Sequence, residues 1–313
     1  MRKFNLRGTV IQRMRGIERE EPKPAESAKA QTQEHPVLSA DFTEDQGRLT
    51  YAWRTDVGRL RKNNQDAIIL GNGLAGVADG MGGHKGGEIA SAGLRDGLLR
   101  ETKDSKPSQE KLEEAVQKVN LELWEQQEEE VSLSGMGTTL TVVWPTESHM
   151  LVGQVGDSRA YLLREGILIQ VTEDHSMVAD MVRKGVLTEE QAACHPMRNY
   201  ITRAVGTEAK IEIDMRLHER KTGDRWLICS DGLYGMISTD KLARLMADDN
   251  LERAADQLLQ AALEGGGKDN ISLILLQDET VFEAGRENEE KTADKTEADS
   301  SVEENTSEEV TAR

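Results

Sequence analysis

The chain has 313 residues, with 39 Lys+Arg against 57 Asp+Glu, a formal net charge of −18, and 37% hydrophobic residues. That length allows one large or two ordinary domains, and so low an apolar share predicts that part of the chain stays outside any core. An acidic surface repels nucleic-acid phosphates and attracts cations, which disfavours DNA or RNA as a partner. Cys194 and Cys229 are too few for a disulfide framework or a Cys-rich zinc site, which points to a reducing cytoplasm. No apolar run approaches the ~20 residues of a membrane span, and the opening MRKFNLRGTV lacks the apolar stretch of a signal peptide. The expectation is a cytoplasmic protein without a transmembrane segment.

In chain order, residues 1–48 open with a basic stretch carrying a rough apolar face, then a polar, Pro-bearing run expected to be a disordered linker. Residues 49–277 read as one compact domain. Strands are expected at Leu49–Thr55, Ala67–Asn72, Leu74–Ala78, Thr138–Trp144, His149–Val155, Arg159–Arg164, Ile167–Val171, Ile211–Arg216, Arg225–Ser230 and Ile271–Leu276. Glu165-Gly166 between two of them suggests a hairpin. Helices are expected at Gly87–Glu101, Ser108–Gln127, Ser176–Lys184, Thr239–Asp248 and Leu251–Glu264, and Thr188-x-x-Gln191 looks like the capping box of a short one. Strands outnumber helices and often follow one another directly, which argues for antiparallel sheets with helices outside. Residues 278–313 hold 13 acids and 4 bases and are expected to be a disordered acidic tail.

A recurring pattern carries the chemistry: an aspartate beside a strand-like run, followed by a small or polar residue. It occurs at Asp66, Asp79, Asp157, Asp231 and Asp269. Each alone reads as ordinary turn chemistry. Five tied to strands read differently, because converging carboxylates repel one another unless divalent cations lie between them. Oxygen-only ligation favours Mg²⁺ or Mn²⁺ over Zn²⁺.

The ordered string Arg61-x-x-Asn64-Gln65-Asp66, VADGMGGHKGGEIAS, SGMGTTLT, GQVGDSRAYLL, VTEDHSMV, ITRAVG, LICSDGLYGMIS and GGKDNISLILL resembles the metal-dependent protein serine/threonine phosphatases of type 2C, bacterial branch. The resemblance covers residues 50–277 and implies an α+β fold, a four-layer α-β-β-α sandwich of two antiparallel sheets flanked by helices. It also implies hydrolysis of phosphoserine and phosphothreonine in proteins by a water activated between two metal ions. Asp79 would bridge the ions, the Gly80 carbonyl would ligate one, Asp231 and Asp269 would hold the other, and Asp66 would act through water. Asp157 with Asp231 matches a third, weaker metal. Arg61 would bind the substrate phosphate.

Phosphoprotein substrates of a cognate serine/threonine kinase are the implied partners, and a monomer is the expectation. Met81 stands where animal members carry a histidine, so the proton donor is left between a metal-bound water, His84 and His175. The stretch Met177–Arg203 resembles a flap that bears on substrate choice. Adjacent Cys194-His195 side chains diverge, which argues against a cysteine dyad. The Gly265–Lys268 run fails the P-loop spacing. A ligand-deficient binding module is disfavoured because Asp66, Asp79, Asp231, Asp269 and Arg61 are all present.

Overall fold

The structure, a computed structural model, describes residues 11–12, 38–41, 48–83 and 86–281. Within them the elements are β1 (Ile11–Gln12), β2 (Leu38–Asp41), β3 (Arg48–Asp56), β4 (Asp66–Gly71), β5 (Leu74–Met81), α1 (Gly86–Glu101) and α2 (Gln109–Glu129). There follow β6 (Gly137–Thr138), β7 (Leu140–Pro145), β8 (His149–Val155), β9 (Arg159–Arg164), β10 (Ile167–Gln170), α3 (Met177–Arg183), α4 (Glu189–Cys194) and β11 (Tyr200–Ile201). The chain ends its described course with β12 (Asp214–Glu219), β13 (Arg225–Cys229), α5 (Asp231–Tyr234), α6 (Thr239–Met246), α7 (Leu251–Glu264) and β14 (Ile271–Asp278).

One sheet has the order β10-β9-β13-β14-β3-β2 and the other β12-β8-β7-β5-β4, with β6 extending the pairing of β5. Their pairings are antiparallel throughout. Tight turns drive the hairpins. Asn72-Gly73 joins β4 to β5 and Glu165-Gly166 joins β9 to β10, all four residues at positive φ as a two-residue turn of matching twist requires.

Alternation along the strands sorts side chains into layers. On β14, Ile271, Leu273 and Leu275 pack with Leu242, Leu258 and Leu259 of α6 and α7. Ile274 and Leu276 point the other way, into a layer shared with Val77, Val143, Val152, Trp226 and Ile228. On the far side of the second sheet, Ile69, Leu74, Ala78 and Val142 meet Leu94 and Leu98 of α1 and Leu112, Val116 and Val119 of α2. The result is the expected four-layer sandwich. Spacing of three and four along α2 supplies its buried face, and Ser108 caps it by accepting from Lys111 N at 3.1 Å. Gly97 lets α1 and α2 approach, since a Cβ there would stand 2.6 Å from Val119 Cγ2.

Two expected strands are altered by side chains that capture backbone groups. The Asp79 N–H bonds to Thr139 Oγ1 (2.9 Å), and the run expected at Thr138–Trp144 divides at Thr139 into β6 and β7. The Gln117 side chain takes both backbone groups of Ile211, and the strand expected from Ile211 begins at Asp214 instead. β2 falls in the stretch expected to be linker and adds an edge strand, pairing Leu38 with Tyr51 and Asp41 with Arg48. The basic stretch near the N-terminus and its rough apolar face lie outside the described residues, apart from Ile11–Gln12, whose backbone pairs with Tyr200–Ile201. The acidic tail beyond Val281 also lies outside them.

Opposite the loops that follow β5 and β13, a buried ion pair closes the sandwich. Arg220 and Asp278 have side chains with no solvent exposure and meet at 2.7 Å (Nε to Oδ2) and 3.1 Å (Nη2 to Oδ1). Arg220 also donates to the Thr146 carbonyl and to Thr280 Oγ1. Arg220→Met would strand a buried carboxylate and lower stability by about 3–5 kcal/mol, read as a shift in the urea midpoint. Adding Asp278→Leu to that variant should recover most of the loss, because the unpaired charge is then gone.

Candidate active site

The face of β5 that packs between the sheets reads Ala75, Val77, Asp79. Its partner β4 presents Asp66, Ile68 and Leu70 on the same face, and Asp66 stands directly opposite Asp79 in the register. Apolar residues thus occupy the middle of the inter-sheet layer, and carboxylates occupy one edge of it. Across the layer, Ser230 at the end of β13 donates to Asp66 Oδ2 at 2.8 Å and accepts from Ser272 N at 3.0 Å. That bond brings Asp66 beside the segment that opens α5 with Asp231. Asp79 is 3% exposed, Asp157 4% and Asp269 3%, a degree of burial that carboxylates reach only when paired or when ligating a cation.

Gly80 is required by close approach: a Cβ there would fall 2.0 Å from the Gly87 carbonyl oxygen and 2.5 Å from that of Gln65. Asp157 follows Gly156, whose φ of +99° turns the chain out of β8. Its carbonyl accepts from the buried Tyr234 hydroxyl at 2.8 Å, and the Arg159 guanidinium lies 3.8 Å over the Tyr234 ring. Burial pushes the Tyr234 hydroxyl well above its usual range, so it acts as a donor. Gly232 packs against the Asn270 carbonyl so closely that a Cβ would stand 1.9 Å from it, which sets the start of α5 against Asp269. Asp157, Asp231 and Asp269 line one cavity of about 910 Å³ whose opposite wall is α3 and α4.

Arg61 rides on the loop between β3 and β4, with Nη2 at 2.9 Å from both oxygens of Asp269. Asn270 holds this loop: its Nδ2 donates to the carbonyls of Val57 (3.0 Å) and Asn63 (2.9 Å), and its Oδ1 accepts from Gln65 N (2.9 Å). Arg59 N adds a bond to the Gly267 carbonyl at 2.7 Å. Gly58 is needed twice over, with φ at +75° and a Cβ position only 2.1 Å from the Asp269 carbonyl oxygen. Asn64 orients through Thr55 Oγ1, which meets Ser272 Oγ at 2.8 Å.

Asn270, Ser230, Thr139 and Tyr234 support the site without having been singled out from sequence. Asn270 had a visible signal, an amide directly after an aspartate at a strand entry. The other three are known only from their partners.

The remaining candidates separate clearly. Met81 is buried with Ile201 and Ala204. His175 accepts the Gly156 N–H at Nδ1 (3.1 Å), so its proton sits on Nε2, which faces Asp214 Oδ2 at 3.4 Å. Burial, then the Arg203 guanidinium, pushes His175 below its usual range, and it serves as a neutral anchor for the loop into α3. His84 lies outside the described residues. His195 Nδ1 accepts the Met197 N–H at 3.2 Å, which leaves no Cys194–His195 dyad.

Among the described residues, no three of His, Cys, Asp and Glu are gathered so as to hold an ion by themselves. The donor chemistry nevertheless fits a hard divalent cation, which needs only one or two carboxylates when carbonyl oxygen and water complete its shell. Asp66 stands opposite Asp79 in the register, Asp231 and Asp269 line one cavity, and Gly80 follows Asp79 in the chain, so oxygen donors of this kind are present.

The sequence model for Protein phosphatase 2C matches residues 59–266. The serine/threonine protein phosphatase PstP of Mycobacterium tuberculosis is 39% identical over 230 residues, covering 72% of this chain and 44% of its own length. The chain therefore spans less than half of that relative. The serine/threonine phosphatase stp of Listeria monocytogenes is 36% identical over 247 residues, covering 77% of this chain and 96% of its own. Among solved structures, the catalytic domain of PstP in complex with two manganese ions superposes with a TM-score of 0.66 at 37% identity, over 73% of this chain and 97% of that one. The family match takes in Arg61, Asp66, Asp79, Asp157 and Asp231, and on that likeness the chain belongs to the protein phosphatase 2C family.

Proposed function

We propose that this chain hydrolyses phosphoserine and phosphothreonine in proteins, with Mn²⁺ or Mg²⁺ as cofactor. The observation that carries the reading is the placement of Arg61: a guanidinium on a loop held by Asn270, 2.9 Å from Asp269, a buried carboxylate that lines the cavity. Such a group grips two phosphoryl oxygens and neutralises charge as the leaving alkoxide departs. Asp79, Asp66 and the Gly80 carbonyl from one sheet would hold the cations together with Asp231 and Asp269 from the other, and Asp157 with Asp231 offers a further position. Bound divalent cations supply Lewis-acid charge and a readily deprotonated water for in-line attack on phosphorus. Met81 has no proton to give the leaving group, and His175 is committed to Gly156 and Asp214.

Support comes from relatives named serine/threonine phosphatases and from the manganese-bound PstP domain. The substrates are those of a serine/threonine kinase that this activity opposes. Two cysteines, and the lack of any helix among the described residues long and apolar enough to cross a membrane, support action in the cytoplasm.

Purified protein should release phosphate from a phosphothreonine peptide only when Mn²⁺ or Mg²⁺ is present. Asp231→Ala should lower that rate by at least about 10²-fold. Release without metal, or none with metal from folded protein, would overturn the reading. Asn270→Ala frees the loop that carries Arg61, and a displacement of about 1 Å is enough to cost roughly 10²-fold in kcat/KM. A circular dichroism spectrum like that of the parent chain would assign the loss to positioning and not to unfolding.

A further inference from the structure

The cavity beside Asp231 and Asp269 is larger than one phosphorylated side chain fills. At about 910 Å³ it lies in the upper range of ligand pockets and extends to α3 and α4, where Val178, Val182 and Ala192 supply an apolar wall. Its charges are unequally committed. Asp174 is held by Arg159 at 2.7 Å, and Glu173 by Arg216 at 2.5 Å. Arg183 is engaged by Asp180 and by Glu173.

Lys268 and Arg198 line the same cavity, are exposed, and have no carboxylate partner among the described residues. Among the described residues that line the cavity, the one uncommitted acid apart from the proposed metal ligands is Glu189 in the first turn of α4. Lys268 directly precedes Asp269, and both line the cavity. Arg198 follows α4 on the facing side. Two free cations across an apolar-walled cleft match a peptide with more than one negative charge.

We propose that this cavity selects phosphopeptides carrying a second anionic side chain beside the phosphorylated residue, held by Lys268 and Arg198. The inference rests on the phosphatase reading above and adds a substrate class to it. Carboxylate and phosphate share the required chemistry, and the peptides chosen for the test separate them.

Phosphothreonine peptides would differ only in the two residues on either side of the phosphothreonine: alanine, glutamate or phosphoserine. For the full chain with Mn²⁺, kcat/KM should be about fivefold higher with glutamate than with alanine at low salt. A still larger ratio with phosphoserine is what its greater charge predicts and would identify a second phosphate as the preferred group, and equal ratios would show that the subsite takes carboxylate and phosphate alike. In the Lys268→Met/Arg198→Met variant both ratios should fall to about one, and in the parent chain they should shrink as ionic strength rises. A flat ratio in the parent chain, a preference for alanine, or a ratio that survives in the variant would overturn the subsite. Hydrolysis of p-nitrophenyl phosphate, which has no flanking residues, tests the phosphatase reading separately. Its absence removes both proposals, whereas its presence with a flat peptide ratio removes only this one.

Discussion

The apolar layer shared by the two sheets determines where every functional group can lie. Val77, Val143 and Val152 from one sheet meet Trp226, Ile228 and Ile274 from the other, each essentially without solvent exposure. Side chains on a strand alternate with a period of two, so slipping β5 by one residue would turn Val77 out of the layer and Asp79 with it. Burial of the valines therefore fixes the orientation of the aspartate. The same logic holds on β13, where Trp226 and Ile228 face the layer and Ser230 continues the series to reach Asp66. The carboxylates stand where this apolar stripe runs out.

Around that edge, polar side chains substitute for missing ladder bonds and join the sheets. Thr139 takes the Asp79 N–H and touches Ser158 Oγ at 2.8 Å. Ser230 joins Asp66 to Ser272, Ser272 meets Thr55, and Thr55 receives Asn64. Asn270 then secures the Arg61 loop with three hydrogen bonds to backbone atoms. Buried polar groups of this kind stabilise only when satisfied, and a satisfied chain of them confers rigidity on the carboxylates it orients. Close-approach glycines at Gly58, Gly80 and Gly232 belong to the same device, since each admits neighbouring backbone where a Cβ would collide.

Asp157 belongs to a second network that runs along the cavity lining. Tyr234 on α5 donates to the Asp157 carbonyl, Arg159 covers the Tyr234 ring, and Asp174 holds Arg159. One residue further, His175 binds the backbone of Gly156, and Ser176 caps α3 by accepting from Ala179 N. The wall of the cavity formed by α3 is thus anchored to the same turn that presents Asp157. Side-chain chemistry at the carboxylate edge and the shape of the peptide-sized space beside it share a common support.

The sequence by itself determined the existence and order of most strands, the hairpin at Glu165-Gly166, the capping box at Thr188 and Gln191, and the five aspartates, because turn chemistry, caps and alternation are local. His149–Val155, Arg159–Arg164 and Leu251–Glu264 match their observed bounds for that reason. The resemblance to a known family supplied what locality could not, namely which aspartates belong together. Only the tertiary structure decided the rest. Asn270 as the holder of the Arg61 loop, Ser230 as the bridge to Asp66, the division at Thr139 and the late start of β12 all depend on bonds between residues far apart in the chain. A backbone group goes to whichever partner the packed layers bring nearest, and no period along the chain encodes that partner.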